Sequence, residues 1–484
     1  MGPPKQLEGV VVLGGGPGGL CAAWNLALDG RRVVVFEREP ECGGQSMTFN
    51  RGGFRYDLGP HNIHSQRLSV LSFLGRALGS DFQEWRYEAQ IQFRRRRVNY
   101  PLLGAQVLRF LPLATSAACA ASFAWGRLLS LFTPAFRDDG TYERWVVNRF
   151  GRRFYDIFFG PYTEKTWGIP PSQLSDVVAR KRIAVRNLTD LVKGVFFKTQ
   201  RFHSENPALV THHFPRLGVG QICDYFVEGI RRAGGDIRAN APVTRVCARN
   251  GHVSRIHYRR GGEEAVLDLD AEGGAENWCV LSTLPANEFA QMLDPAPPED
   301  VLAAAQGLDF TSEVFLYLNL DSTEAFGVPV LYFSEPEFPQ TRITDMGRFS
   351  RDMMPPGKTA LCVELTCSAG DATWNADDAT LFERVMAPLE ANGLLSRRRV
   401  ESFHTRRLRH AYPRFRVGYQ ERMRAIANHL SSMGNLMTFG RQGLFCYANV
   451  DDVIWMGFEV AKHVQYRDRL PLPVEELLPD YIDF

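Results

Sequence analysis

A chain of 484 residues exceeds what one hydrophobic core usually supports, so two or more intertwined domains are expected. Its 45% hydrophobic and 23% charged content is ordinary for a globular protein, and a formal net charge of +2 gives no electrostatic reason to invoke nucleic acid. Nine scattered cysteines contain no C-x-x-C pair, which excludes common zinc spacings, and no metal site is expected. Their odd number, and the short lead from Met1 to Pro4 into the first apolar run, fit reduced thiols and a cytoplasmic location without a secretory segment.

Val10 to Leu13 reads as an apolar strand, Gly14 to Gly19 as a glycine turn, the residues through Leu28 as a helix, and Arg32 to Phe36 as a second strand closing on Glu37. This is a βαβ unit with the dinucleotide fingerprint. Gly14 permits the tight turn, Gly16 lets backbone approach a pyrophosphate, and Gly19 allows helix to pack closely on strand. Glu37, 23 residues after Gly14, is placed to accept hydrogen bonds from ribose hydroxyls, as in FAD or NAD. A second glycine pair, Gly43 and Gly44, follows at once, with Phe54 to Asp57 and Gly59 to His64 beyond it. That pair is a feature of FAD-dependent oxidases and mutases and selects FAD. Candidate cofactor-contacting residues are Gly14, Gly16, Gly19, Glu37, Arg38, Gly44, Gln45, His61, Val246 and Arg441. His61 has a simpler role open to it, holding its own loop.

Further along, Gln66 to Leu78 has helical periodicity, and Gln90 to Phe93 with Val98 to Tyr100 reads as a hairpin around the run Arg94 to Arg97, a solvated edge rather than a polyanion site. From Gly104 to about Thr199 the pattern is helical, an insertion that must pack over the nucleotide domain. Within it, Phe110 to Gly126 lacks charge but is too short to span a bilayer, so a buried or lid helix is expected rather than membrane contact. Phe158 to Gly168 is an aromatic and glycine cluster ill suited to a helix interior, open to stacking on a planar base or to core packing. The chain returns through His213 to Gly220, and the apolar strand Cys279 to Pro285 rejoins the first sheet. Alternating strands at Glu313 to Leu318, Leu331 to Phe333, Thr341 to Ile343 and Leu361 to Leu365 predict an antiparallel sheet walling a substrate cavity. Asp451 and Asp452 open a closing helix to about Val464, where acids suit the dipole. The expected fold is α/β: a discontinuous FAD-binding Rossmann-like domain of the GR2 type (residues 1–100, 213–295 and 425–484), a helical insertion and lid (101–212), and an antiparallel-sheet substrate domain (296–424).

Taken together, Gly14 to Gly19, Gly59 to His64, Pro161 to Gly168, Thr341 to Ile343, Tyr412-Pro413 and Gly440 to Gly443 with Tyr447 resemble, in order, the motifs of UDP-galactopyranose mutases and their flavoprotein relatives. The resemblance implies that Tyr162 and Trp167 line a nucleotide pocket, that Arg342 and Arg186 grip a diphosphate contacted by Tyr412 and Tyr447, and that His64 and Arg441 sit near the flavin. It implies a mutase that interconverts pyranose and furanose rings of a nucleotide sugar through a flavin N5–sugar adduct on reduced FAD. The stretch Asn187 to Phe197 departs from the mutase pattern, whereas Pro215 to Gln221 and Glu364 to Asp371 are similar to protoporphyrinogen and amine oxidases. An FAD-dependent oxidoreductase, an oxidase or desaturase of an amine, alcohol or saturated carbon, is therefore the alternative. A non-catalytic or membrane-associated flavin-binding protein, suggested by Phe110 to Gly126, is a third. The expected partner is a small molecule, with no nucleic acid and no transmembrane segment, and the oligomeric state stays open.

Overall fold

The computed structural model describes residues 7–65, 67–85, 87–93, 95–100, 112–130, 138–183, 211–466, 478 and 481. Its organising element is a five-stranded parallel sheet in the order Leu436–Thr438, Trp278–Ser282, Gly9–Leu13, Arg32–Phe36, Asp236–Arg238. Continuous apolar runs such as Gly9–Leu13 suit strands covered on both faces. Alternate side chains accordingly enter two different cores. Val10, Val12, Val33, Val35 and Leu281 meet the helices Pro17–Leu28, Gly220–Arg232 and Val450–Tyr466. Val11, Leu13, Val34, Phe36 and Val280 meet Val246, Val253, Ile256 and Tyr258 of a four-stranded sheet on the other side.

The strand Trp278–Ser282 pairs with Gly9–Leu13, and Leu436–Thr438 pairs with Trp278–Ser282, so the nucleotide unit is assembled from distant parts of the chain. A second, seven-stranded sheet runs Val400–Pro413, Phe310–Leu320, Thr359–Cys367, Arg342–Asp345, Val330–Phe333, Ala89–Phe93, Arg96–Tyr100. It is antiparallel except where Val330–Phe333 runs parallel to Ala89–Phe93. The hairpin 89–100 therefore belongs to the second sheet and not to the nucleotide sheet. Arg95 forms its turn with φ 61°, and Arg97 donates to the Phe326 carbonyl at 2.6 Å, so residues 95–97 of the arginine run are turn and edge strand, while Arg94 lies outside the described residues.

Strand alternation gives the second sheet two different faces. Val314, Leu316, Leu318, Ile343, Val363 and Leu365 bury against Leu381, Val385, Met386 and Leu389 of the helix Asp378–Ala391. Phe315, Tyr317, Val330 and Cys362 point the other way, against Met47, Phe54, Tyr56 and Leu58 of the nucleotide unit. This second face carries the candidate site.

One expectation about the helical insertion needs correction, and a second is narrowed. Phe158 to Gly168 is helical: a π-type turn at Tyr155–Phe159 leads into the helix Gly160–Trp167. Pro161 sits in the first turn, where its missing N–H costs nothing, and Gly168 stops the helix with φ +65°. Of the apolar segment, Leu113–Ser130 is helical and lies on the surface, with Leu113 and Trp125 exposed and Cys119 buried, so of the buried-or-lid expectation the buried alternative does not hold. Among the described residues no helix is long and apolar enough to cross a membrane. Among the described residues none of the nine cysteines forms a disulfide.

Candidate active site

Three glycines shape the first turn in three different ways. Gly14 has φ +105°, and a Cβ there would sit 2.4 Å from Thr283 Oγ1. A Cβ on Gly19 would strike the Gly14 carbonyl oxygen at 2.3 Å, which is how the helix comes so close to the strand. Gly16 faces open space, with nothing within 4 Å of a Cβ, at the N-terminus of the helix Pro17–Leu28. An open backbone face at a helix N-terminus is suited to phosphate.

Glu37 is buried, and burial raises its pKa despite hydrogen bonds from the Glu39 and Gly15 N–H groups. Those bonds measure 2.8 Å from Gly15 and 3.0 Å from Glu39, and each carboxylate oxygen keeps a lone pair for a ribose hydroxyl. The Gly43 N–H donates to the Gly15 carbonyl at 2.8 Å, and Gly44 lies against Gly16, so the second glycine pair backs the first. Arg38 is half-exposed, 3.5 Å from Glu39. Gln45 reaches away from the glycine turn and donates to the His410 and Ala411 carbonyls at 2.5 and 3.0 Å. Val246 corrects the expectation of a cofactor contact. It is fully buried inside the four-stranded sheet, and its N–H already donates to the Met292 carbonyl.

Around the flavin end predicted by sequence, Arg441 Nε, Gln442 Oε1, Thr438 Oγ1 and Asn62 Oδ1 are buried without a hydrogen-bond partner among the described residues. Buried polar atoms are rarely left so in a finished fold. Together with the open Gly16 face and the Glu37 carboxylate, they fit a flavin dinucleotide.

The second sheet brings several of the predicted residues together. Arg441 lies over the Tyr412 ring at 4.6 Å and the Tyr447 ring at 5.4 Å, while its Nη1 and Nη2 donate to Ala448 and Ala411 carbonyls. Tyr412 and Tyr447 are nearly parallel, 6.5 Å apart, and Trp167 meets Tyr412 edge-on at 6.1 Å. Burial raises the Tyr412 pKa against the opposing pull of Arg342, so the phenol stays protonated and able to donate. His61 Nδ1 is 3.2 Å from the Gly59 carbonyl, and burial, with Arg342 and Arg441 nearby, lowers its pKa to about 4, so the ring is neutral.

Arg342 is not the free cation that the sequence suggests. Its Nε and Nη2 form a fork on both oxygens of Glu364, at 2.7 and 2.6 Å. Burial opposes the Arg342 charge, but Glu364 more than offsets it and holds the guanidinium ionised. Glu313, two strands away from Arg342, is buried, and burial followed by the Glu364 charge lifts its pKa to about 8.

His64 stacks on His212 at 4.7 Å, and His212 in turn faces Tyr87, whose hydroxyl lies 2.9 Å from that of Tyr332. Arg342 then lies 5.7 Å over the Tyr332 ring. His64 is thus linked to the Arg342 face through three other side chains. Trp167 is buried and Tyr162 half-buried on the helix Gly160–Trp167, which is fastened to the sheet by Lys165, donating to the Phe333 and Glu335 carbonyls at 2.9 and 3.2 Å. Arg186 falls outside the described residues.

Sequence reasoning missed Glu364 as a partner, and it missed Tyr87, Tyr332 and His212 altogether. Strand alternation could have found Glu364 and Tyr332, since each shares the face of Arg342.

Comparison with known proteins agrees with this architecture. Short stretches are 41% identical over 51 residues to a 4,4'-diapophytoene desaturase of Methylomonas and 47% identical over 60 residues to human all-trans-retinol 13,14-reductase. Another is 50% identical over 54 residues to phytoene dehydrogenase of Streptomyces griseus. These stretches cover 10 to 12% of this chain and only about a tenth of each relative (10, 10 and 11%). Among solved structures, reduced UDP-galactopyranose mutase superposes with a TM-score of 0.80 at 22% identity, covering 95% of this chain and 97% of that one. A protein described as a putative protoporphyrinogen oxidase from Exiguobacterium superposes at 0.70 with 16% identity, covering 95% and 98%. At such identities the likeness shows the fold. The profile of flavin-containing amine oxidoreductases matches residues 17–418, and the chain belongs to that family.

Proposed function

We propose that the protein is an FAD-dependent oxidoreductase acting on an uncharged organic substrate held against Tyr332, Tyr412 and Tyr447. The observation that carries this reading is the closed Arg342–Glu364 fork. A nucleotide diphosphate needs cations whose donors are free, and guanidinium forks suit it only when unpaired. Among the described residues here, Arg342 is neutralised by Glu364, and Arg441 already donates to two carbonyls. What remains is an aromatic-rich face on which Arg342 is charge-compensated and Arg441 carries the remaining guanidinium charge. The relatives named as desaturase, dehydrogenase and reductase carry redox names, and this supports the same reading.

Bound flavin supplies hydride acceptance or donation. The chain's own residues position and polarise: Arg441 presents positive charge beside Tyr412 and Tyr447, and neutral His61 offers a hydrogen bond rather than a second cation. A mutase acting on a nucleotide sugar is the second reading. It is favoured by the assembly of Arg342, Tyr412, Tyr447, Arg441 and Trp167 on one face.

One experiment separates the two. The holoenzyme is titrated with UDP-sugars after anaerobic dithionite reduction, with mass analysis of the flavin after cyanoborohydride treatment. In parallel, the oxidised enzyme is screened in air for peroxide with amines, alcohols and polyenes. Substrate-dependent flavin reduction with no UDP-sugar binding is the expected result. Tight UDP-sugar binding with covalent labelling of the flavin refutes the oxidoreductase reading.

A further inference from the structure

The helix Leu113–Ser130 turns its apolar side to solvent. It contains no acidic residue and one basic residue, Arg127. At 3.6 residues per turn its exposed positions fall on one continuous arc, made of Leu113, Trp125, Arg127, Leu128 and six alanines. Leu113 is 86% exposed, Trp125 62% and Leu128 47%, so three of the nine exposed large hydrophobic side chains among the described residues gather on this one helix. Thr115, Ser116 and Ser122 lie on the opposite, inward arc with the buried Cys119. A solvated surface helix shows the reverse arrangement, apolar stripe inward and polar residues outward.

The inward arc is fastened in place. Ser122 Oγ accepts from the Arg153 N–H at 3.1 Å, and a Cβ on Gly151 would sit 2.9 Å from the Phe123 backbone, so the helix crosses Gly151 in close contact. Cys119 shares one core with Trp145, Phe150, Phe154 and Trp167. Rolling the helix to hide Leu113, Trp125 and Leu128 would open all of these contacts. The apolar arc is thus a fixed outer surface of the insertion that also carries the helix Gly160–Trp167, and a contiguous exposed patch of this kind marks an interaction site.

We infer that this arc docks on a lipid bilayer, lying in the plane of the interface rather than crossing it. The helix is about 27 Å long at 1.5 Å per residue, and its apolar arc can sink to the boundary of headgroups and acyl chains. Size argues against a second copy of the chain, which would need roughly 800 Å² and 20–30 residues on each side. The arc offers nine apolar residues, six of them alanines with little to anchor in a partner's pocket. Charge argues for lipid. The helix holds no acid to repel anionic headgroups, and exposed basic residues stand at Arg127 and at Arg153, beside Ser122. Trp125 sits next to Arg127, an amphipathic ring and a long basic side chain of the kinds that settle at an interface. Arg152 is balanced by Glu143 and Asp156, so apolar insertion supplies most of the attraction. On the oxidoreductase reading above, docking would bring an uncharged substrate from the lipid to the insertion that carries Tyr162 and Trp167, but docking itself does not depend on that reading.

The holoenzyme is mixed with vesicles of phosphatidylcholine, alone or with phosphatidylglycerol, and binding is read by flotation and by tryptophan emission. The parent enzyme is expected to float with both, more strongly with the anionic mixture, and its emission to shift to the blue. Trp125→Phe should float as well but lose the shift. Trp125→Asp and Ala121→Glu should each weaken binding about tenfold or more, the effect of losing one large apolar side chain or of placing a charge in the boundary. Both positions are exposed, so flavin absorbance equal to the parent's serves as the folding control. The proposal is overturned if the parent floats with neither vesicle, if Trp125→Asp and Ala121→Glu float as the parent does, or if light scattering shows a dimer that Trp125→Asp splits. A protein that floats but shows no redox turnover refutes only the oxidoreductase reading.

Discussion

Removing either half of the Arg342–Glu364 fork should cost at least as much as removing both. The two bonds are short, 2.7 and 2.6 Å, and the side chains are 19% and 5% exposed. Breaking a buried pair from one side leaves an uncompensated charge, which costs about 3–5 kcal/mol, whereas replacing both partners with neutral residues of similar volume is often close to neutral. Because Arg342 keeps some solvent contact, the low end applies: about 3 kcal/mol each for Glu364→Gln and Arg342→Met, and no more than that for the double variant. The coupling energy is therefore at least about 3 kcal/mol. Urea unfolding of the holoenzyme, followed by flavin and tryptophan fluorescence, measures all three. Glu364→Gln should also gain affinity for UDP, because its Arg342 fork is then free. Additivity within about 0.5 kcal/mol, or UDP binding as tight in the parent as in Glu364→Gln, would refute the closed-fork argument.

Three other outcomes follow from the same structure. Gly19→Ala should abolish folding or flavin retention, because its Cβ meets backbone at 2.3 Å, while Gly16→Val should fold but lose flavin, since nothing of the protein stands in its way. The ratio of flavin to protein absorbance, with circular dichroism as a folding control, distinguishes the two. Glu313, with its folded pKa raised from 4.5 to about 8, contributes stability that is present below pH 4.5 and lost as pH rises through 8. Glu313→Gln should remove that alkaline loss, and urea midpoints measured from pH 5 to about 8.5 on both proteins would show whether the slopes differ. Lys165→Met removes the donor to two carbonyls that fasten the helix Gly160–Trp167, and protection of that helix in hydrogen exchange should fall while the parallel sheet is unaffected.

What was legible in the sequence was local. The glycine spacing, the acid at the end of the second strand and the apolar runs announce themselves within 30 residues, because a βαβ turn is built from neighbours in the chain. The parallel pairing of Ala89–Phe93 with Val330–Phe333 was invisible, since it joins segments some 240 residues apart and neither carries a mark of its partner. Arg342 illustrates the same limit at short range. The resemblance to the mutases made it a diphosphate clamp, yet its partner Glu364 is 22 residues on, across a strand pair whose register fixes the contact. The segment Phe158 to Gly168 misled for another reason: glycine, proline and aromatics lower helix propensity, but proline in the first turn and glycine just past the end are where a helix accepts them.

The two halves of the site are tied at one point. The His410 carbonyl accepts from Gln45 and Gln442, and the Ala411 carbonyl accepts from Gln45 and Arg441. Gln45 follows the second glycine pair, Arg441 and Gln442 follow the last parallel strand, and Tyr412 is the next residue on the substrate sheet. The same stretch is pinned from the opposite side by His410 Nε2, 3.1 Å from Glu288. Tyr412 therefore takes its position from the loops that would hold the flavin rather than from the sheet alone. An altered glycine loop should then disturb Tyr412 and Arg441 together. Substrate specificity and flavin affinity should change in concert in Gln45→Leu, since one amide holds both sides.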